Sequence, residues 1–192
     1  MKITINILLL IGTMLFITGC STTTINFDKK YIGYESNEYI SNKITTKIVS
    51  IEKMNYSIGK RPNSLLMGKA ITLEINSDYN EKVLKSVLNQ YFSNVTIDNN
   101  KNVNIKIYST IKDFDWQPIF GGQESSFIID VKVLSQNKEI LSKTYSKKYD
   151  DAMFVETINF GEVSNYTKNK HLFRLYEKEF IPDLTKALRK NM

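Results

Sequence analysis

The chain has one cysteine, one histidine, one tryptophan and three prolines in 192 residues. A lone cysteine excludes an internal disulfide framework and a cysteine-built metal site. A lone histidine, His171, has no histidine or cysteine partner, and no carboxylate is placed beside it by spacing. It is expected to face solvent or to cap the last helix. No run of five like charges occurs, although the formal net charge is +6. The basic balance therefore lacks the clustered footprint of a nucleic-acid binder and fits solubility, or attraction to anionic headgroups or wall polymers. Gly121-Gly122 lacks the flanking Lys-Ser/Thr and following helix of a phosphate-binding loop. No internal repeat is present.

What is present is concentrated first at the amino end. Met1-Lys2 is followed by an apolar run from Ile3 to Ile17, broken by Gly12 and Thr13. A membrane-spanning helix needs about 20 apolar residues, and this run is shorter. It closes on Ile17-Thr18-Gly19-Cys20, with two small residues before the cysteine. This resembles a bacterial lipoprotein signal peptide with its lipobox. The resemblance implies cleavage before Cys20 and lipidation of Cys20, with palmitate-type acyl chains holding the protein to a membrane. Several acyl chains at about 0.8 kcal/mol per buried methylene make a firm anchor. The alternatives for Cys20 are half of a disulfide to another chain, or a nucleophile. Ser21 at the next position is permissive, in enterobacterial lipoproteins, for export to the outer membrane.

The division that follows is residues 1–19 as signal peptide, 20–42 as lipidated terminus and tether, and 43–192 as one domain. Ser21-Thr22-Thr23-Thr24 is small and polar, and apolar residues recur there with neither period. Tyr31, Tyr34 and Tyr39 either pack the tether's end onto the domain or stand exposed. Strands are expected over Thr45 to Met54 and Leu65 to Ile75, with Gly59 and Pro62 punctuating the connection. The clearest helix follows: Val83, Leu84, Val87, Leu88, Tyr91 and Phe92 form one apolar stripe, with Asp78 and Glu81 read as a capping box.

A short strand spans Val95 to Ile97, and Asp98 to Asn102 reads as a turn. Val103 to Gln117 alternates as a long strand, with Val103, Ile105, Ile107 and Ile111 on one face and Tyr108, Phe114 and Trp116 on the other. Pro118 to Ser125 reads as a loop. Phe127 to Val133 is the next strand, Ser135 to Lys138 a turn, and Ile140 to Tyr149 the return. An apolar connection from Asp150 to Val163 leads to a helix over Tyr166 to Lys190, kinked or restarted near Ile181 by Pro182. The fold class is α+β: a mostly antiparallel sheet of four to six strands with two helices packed on one face.

Three segments carry a family resemblance: Val103-Asn104-Ile105-Lys106-Ile107, Phe127 to Val133, and Asn137 to Ile140 leading into Lys143-Thr144-Tyr145. On these, the domain resembles the YajG family of small Gram-negative lipoproteins. The resemblance implies an outer-membrane lipoprotein facing the periplasm, with no catalytic residues to carry over. Looser likenesses run to auxiliary lipoproteins of ABC-type lipid transport, activators of peptidoglycan synthases and a lipopolysaccharide-assembly lipoprotein. The segments Trp116 to Gly122 and Asp150 to Val163 depart from the family.

No catalytic or metal site and no cofactor is expected. Asp113 and Asp115 alternate with Phe114, about 7 Å apart on one strand face, too few oxygens for a calcium site. Asp150-Asp151 reads as a turn. Lys143, Lys147 and Lys148 read as a lysine-guarded edge strand or a lipid contact. Trp116, Phe120, Tyr108 and Phe114 are the candidate partner contacts, provided that the helices cover the Val103/Ile105 face and leave these rings exposed. The expected function is a non-enzymatic, membrane-anchored adaptor or structural lipoprotein, with an envelope protein as partner and no nucleic acid. The alternative is a module that binds lipid or peptidoglycan fragments.

Overall fold

A computed structural model describes residues 21–24, 44–60, 71–99, 102–119, 122–152 and 170–191. The strands are β1 (Ser21–Thr24), β2 (Ile44–Ile51), β3 (Ser57–Lys60), β4 (Ile71–Asn76), β5 (Phe92–Ile97), β6 (Ile105–Ile119), β7 (Gly122–Ser135) and β8 (Lys138–Ala152). Helix α1 is Ser77–Tyr91. Helix α2 covers residues 170–190. The class is α+β. A five-stranded sheet has the order β5-β2-β6-β7-β8, and a three-stranded sheet the order β1-β4-β3.

The main sheet is mixed. β2 pairs parallel with β5 and with β6, whereas β6-β7-β8 is an antiparallel meander. The parallel half follows from connectivity: α1 lies in the crossover from β2 to β5, and parallel neighbours require such a long return. The β7–β8 hairpin closes on Ser135 and Lys138. Gln136 and Asn137 between them have φ of 50° and 65°. Two central residues with positive φ suit the right-handed twist of a hairpin.

Helix α1 starts two residues earlier than its capping box predicts. Asn76 is the cap, its Oδ1 accepting from the Tyr79 N–H at 2.9 Å. Glu81 instead accepts from the Met54 N–H at 2.9 Å. The acid is buried, and desolvation raises its pKa against the lowering effect of that amide. Val83, Leu84, Val87 and Leu88 form the buried stripe, as the periodicity predicts.

In α2 the helix widens into a π segment, Tyr176–Phe180, before Ile181–Lys190. Pro182 stands in the first turn of the last segment. Its missing N–H and its clash with the preceding turn are absorbed by re-registering the helix there. The restart falls at Ile181, where Pro182 predicts it.

Both helices cover one face of the main sheet. That interface holds Val49, Ile51, Ile105, Ile107, Ile129 and Val133, all fully buried, against Leu84, Leu88, Leu175 and Leu184. A polar network pins it. The Tyr176 hydroxyl donates to Asn80 Oδ1 at 2.5 Å and meets Ser109 Oγ at 2.6 Å, while Asn80 Nδ2 donates to Ser109 Oγ at 3.1 Å. One contact set thus ties α1, β6 and α2. Tyr176→Phe leaves two buried partners short of a bond and is expected to cost about 1–3 kcal/mol. Denaturant titration followed by far-ultraviolet dichroism measures this; an unchanged midpoint would show that the network adds nothing.

Several local expectations are corrected. Ser21–Thr24, read as tether, pairs in parallel with β4 from Ser21↔Ile71 to Thr24↔Glu74. The stretch Pro118 to Ser125, read as a loop, belongs mostly to two strands that pair up to Ile119↔Gly122. Among the described pairings Pro118 has only β7 beside it, the edge setting that tolerates a missing N–H. Asp150 and Asp151 are not a turn but pair with Glu124 and Gln123. The apolar connection lies outside the described residues from 153 to 169.

Candidate interaction surface

The long strand β6 changes face partway along. Up to Ile111 its odd positions are buried: Ile105, Ile107, Ser109 and Ile111. The pairing then slips from Ile111↔Ile129 to Asp113↔Ile128, leaving Lys112 as an extra residue. Because side chains alternate with a period of two, one extra residue exchanges the faces. Phe114 and Trp116, which strict alternation puts with Tyr108, are therefore turned onto the core side, each 1% exposed. Tyr56 supports the bulge. Its hydroxyl accepts from the Ile111 N–H at 3.1 Å, beyond the point where β2 ceases to pair with β6.

The four candidate contacts thus separate. Phe114 and Trp116 are core residues, and the surface role expected of them is corrected by the bulge. Phe120 lies outside the described residues. Tyr108 alone stays on the face away from the helices, half-buried. There it lines an open trough of about 380 Å³ with Thr110, Lys112, Asp130, Lys132, Ser142 and Thr144.

The trough is polar. Thr144 Oγ1 donates to Asp130 Oδ1 at 2.6 Å, and Lys112 Nζ lies 3.5 Å from Asp130 Oδ2. Lys132 pairs with Glu139 at 3.1 Å. These ion pairs are exposed and weak, so the lysines can exchange a protein carboxylate for another acceptor at small cost. Hydroxyls, lysine ammonium groups, the Asp130 carboxylate and one phenol ring suit a polar surface rather than an acyl chain.

The remaining sequence candidates have structural partners. Asp113 binds Lys60 at 3.1 Å, while Asp115 Oδ1 accepts the Trp116 N–H at 3.0 Å, so the two carboxylates do not share a ligand. Lys143 and Lys147 reach across to Asp183 and Glu179 on α2, and Lys148 binds Glu124. Lys148 and Gln117 hold the Glu124 carboxyl below its ordinary pKa. Asp183 is likewise held low by Lys143, with Tyr145 donating at 3.0 Å.

His171 is fully buried, which corrects the solvent-facing expectation. Its Nδ1 meets Ser125 Oγ at 2.5 Å, and its ring stacks on Tyr149 at 5.0 Å between centroids. The reason is the position of α2, which starts over the Ser125/Trp116 end of the sheet. Ser125 is 1% exposed, so this pair joins helix to sheet in an enclosed place. Neither Ser125 nor the Asn80–Ser109–Tyr176 group is marked in the sequence, because the partners lie 29 to 96 positions apart. Among the described residues no group of three His, Cys, Asp or Glu is placed to hold a metal, and no helix is long and apolar enough to cross a membrane.

No family model and no curated protein matches this chain. Solved structures do. A Xanthomonas campestris protein of the DUF330 family superposes with a TM-score of 0.51 at 8% identity, over 89% of this chain and 98% of that one. A Caulobacter crescentus protein provisionally named a lipoprotein gives 0.42 at 10% identity, over 59% and 84%. A hypothetical protein from Chlamydia trachomatis gives 0.42 at 8% identity, over 73% and 95%. At such identities the first likeness establishes a shared fold.

Proposed function

We propose that this chain is a lipid-anchored lipoprotein of the bacterial envelope, related to the YajG family, held to the periplasmic face of the outer membrane through acylated Cys20. It acts without catalysis, as an adaptor that meets an envelope protein on the open face of β6-β7-β8. The observation that carries the adaptor role is the asymmetry of that sheet. One face is filled by α1 and α2, whereas the other presents Tyr108 in a polar trough. The lipobox supports the anchor, and the enclosure of Ser125 and His171 supports a non-enzymatic role. A photo-crosslinker at Tyr108, in cells with Cys20 intact, is expected to capture one dominant envelope protein. Cys20→Ser is expected to abolish palmitate incorporation and release the chain from membranes. Palmitate-free wild-type protein would sink the anchor.

The trough also favours a second reading, a module that binds glycan or phosphate-bearing fragments through Lys112, Lys132 and Tyr108. Saccharide or lipid adducts at the Tyr108 crosslinker, without a protein adduct, would select it over the adaptor.

A further inference from the structure

The order of strands fixes which end of the molecule carries residue 20. Tyr56 reaches β6 at Ile111 and Lys60 reaches it at Asp113, so β3 runs toward the β6–β7 hairpin. β4 returns antiparallel, with Lys60 opposite Leu73, and β1 lies parallel to β4. Ser21 faces Ile71, two positions beyond Leu73 toward that hairpin. Cys20 itself lies outside the described residues, but one trans peptide bond keeps its Cα about 3.8 Å from that of Ser21.

We infer that the domain has no slack between lipid and fold, and stands end-on against the bilayer headgroups. The β6–β7 hairpin end faces the membrane and the Gln136–Asn137 turn points away. This rests on the lipid-anchor reading and adds an orientation to it. Eleven residue-to-residue steps along β7, from the partner of Gln117 to Ser135, separate the two ends by roughly 35–40 Å. The near end carries the pairs Lys60–Asp113 and Lys148–Glu124, with Asp115 and Asp150 also close to Lys148. The far end exposes Ile44 and Ile48, each 41% accessible, where a partner could approach from the periplasmic side.

The test does not depend on cellular acylation. Processed protein beginning at Cys20 is coupled through its only thiol to maleimide-bearing phosphatidylethanolamine/phosphatidylglycerol vesicles. A clickable fluorophore is placed at Gln117 or at Asn137, and a headgroup-linked quencher reports proximity. Quenching is expected to be several-fold stronger at Gln117 than at Asn137. A long Gly/Ser insertion between Cys20 and Ser21 is expected to erase the difference. Equal quenching at both positions without the insertion would overturn the orientation. Palmitate labelling in cells separately tests the anchor.

Discussion

Trp116→Ala is expected to destabilise the domain by about 3–5 kcal/mol, the usual cost of emptying a buried aromatic site. Trp116 is 1% exposed and pairs across the sheet with Ser125, itself closed over by His171. Truncation would leave a cavity beneath the start of α2, where the surrounding β-structure can relax only partly. For a domain of this size each kcal/mol lowers Tm by about 2–4 °C, so the effect is large in a thermal scan. Loss of a cellular complex in this variant would report unfolding, not a lost contact. Tyr108→Ala is the proper comparison. It is expected to keep Tm within the small range of surface substitutions and to lose crosslinking at the trough. A Trp116→Ala protein as stable as wild type would mean that the ring is not in the core.

Much of this architecture is legible in the sequence because it is periodic. The α1 stripe, the alternating β7 and the Pro182 restart each follow from local spacing, and the fold class follows from their order. What the sequence hides is displacement of register. Ile105, Ile107 and Ile111 alternate correctly, and Phe114 and Trp116 alternate correctly among themselves. Only the joint between the two sets, at Lys112, is invisible, because a lysine carries no signal for a bulge. The surface role assigned to Phe114 and Trp116 failed at that single residue. The capping box failed for a related reason: Asn76, Asp78 and Glu81 all have capping chemistry, and tertiary contact with Met54 decides between them. Tyr108 could be placed because no insertion separates it from the isoleucines that define the buried face.

Deleting Lys112 is expected to leave Trp116 buried, which separates the bulge from the pairing. Without the extra residue Asp113 follows Ile111 directly, and the ladder runs on without a slip as Ile111↔Ile129, Asp113↔Ile128 and Phe114↔Phe127. Phe114 and Trp116 then stand two and four positions after Ile111, on the same buried face by strict alternation. Trp116 is the only tryptophan, so its emission reads the outcome directly. An emission maximum like that of the wild type, with weak acrylamide quenching, is expected. Lys112→Ala separates backbone from side chain. It keeps the residue count and removes only an exposed pair with Asp130, worth about 0–1 kcal/mol. Its emission is therefore expected to match wild type. A red-shifted, strongly quenched Trp116 in the deletion would show that pairing with β7 does not set the face of β6 after Ile111. Trp116 would then owe its burial to the bulge at Lys112, rather than to its place opposite Ser125.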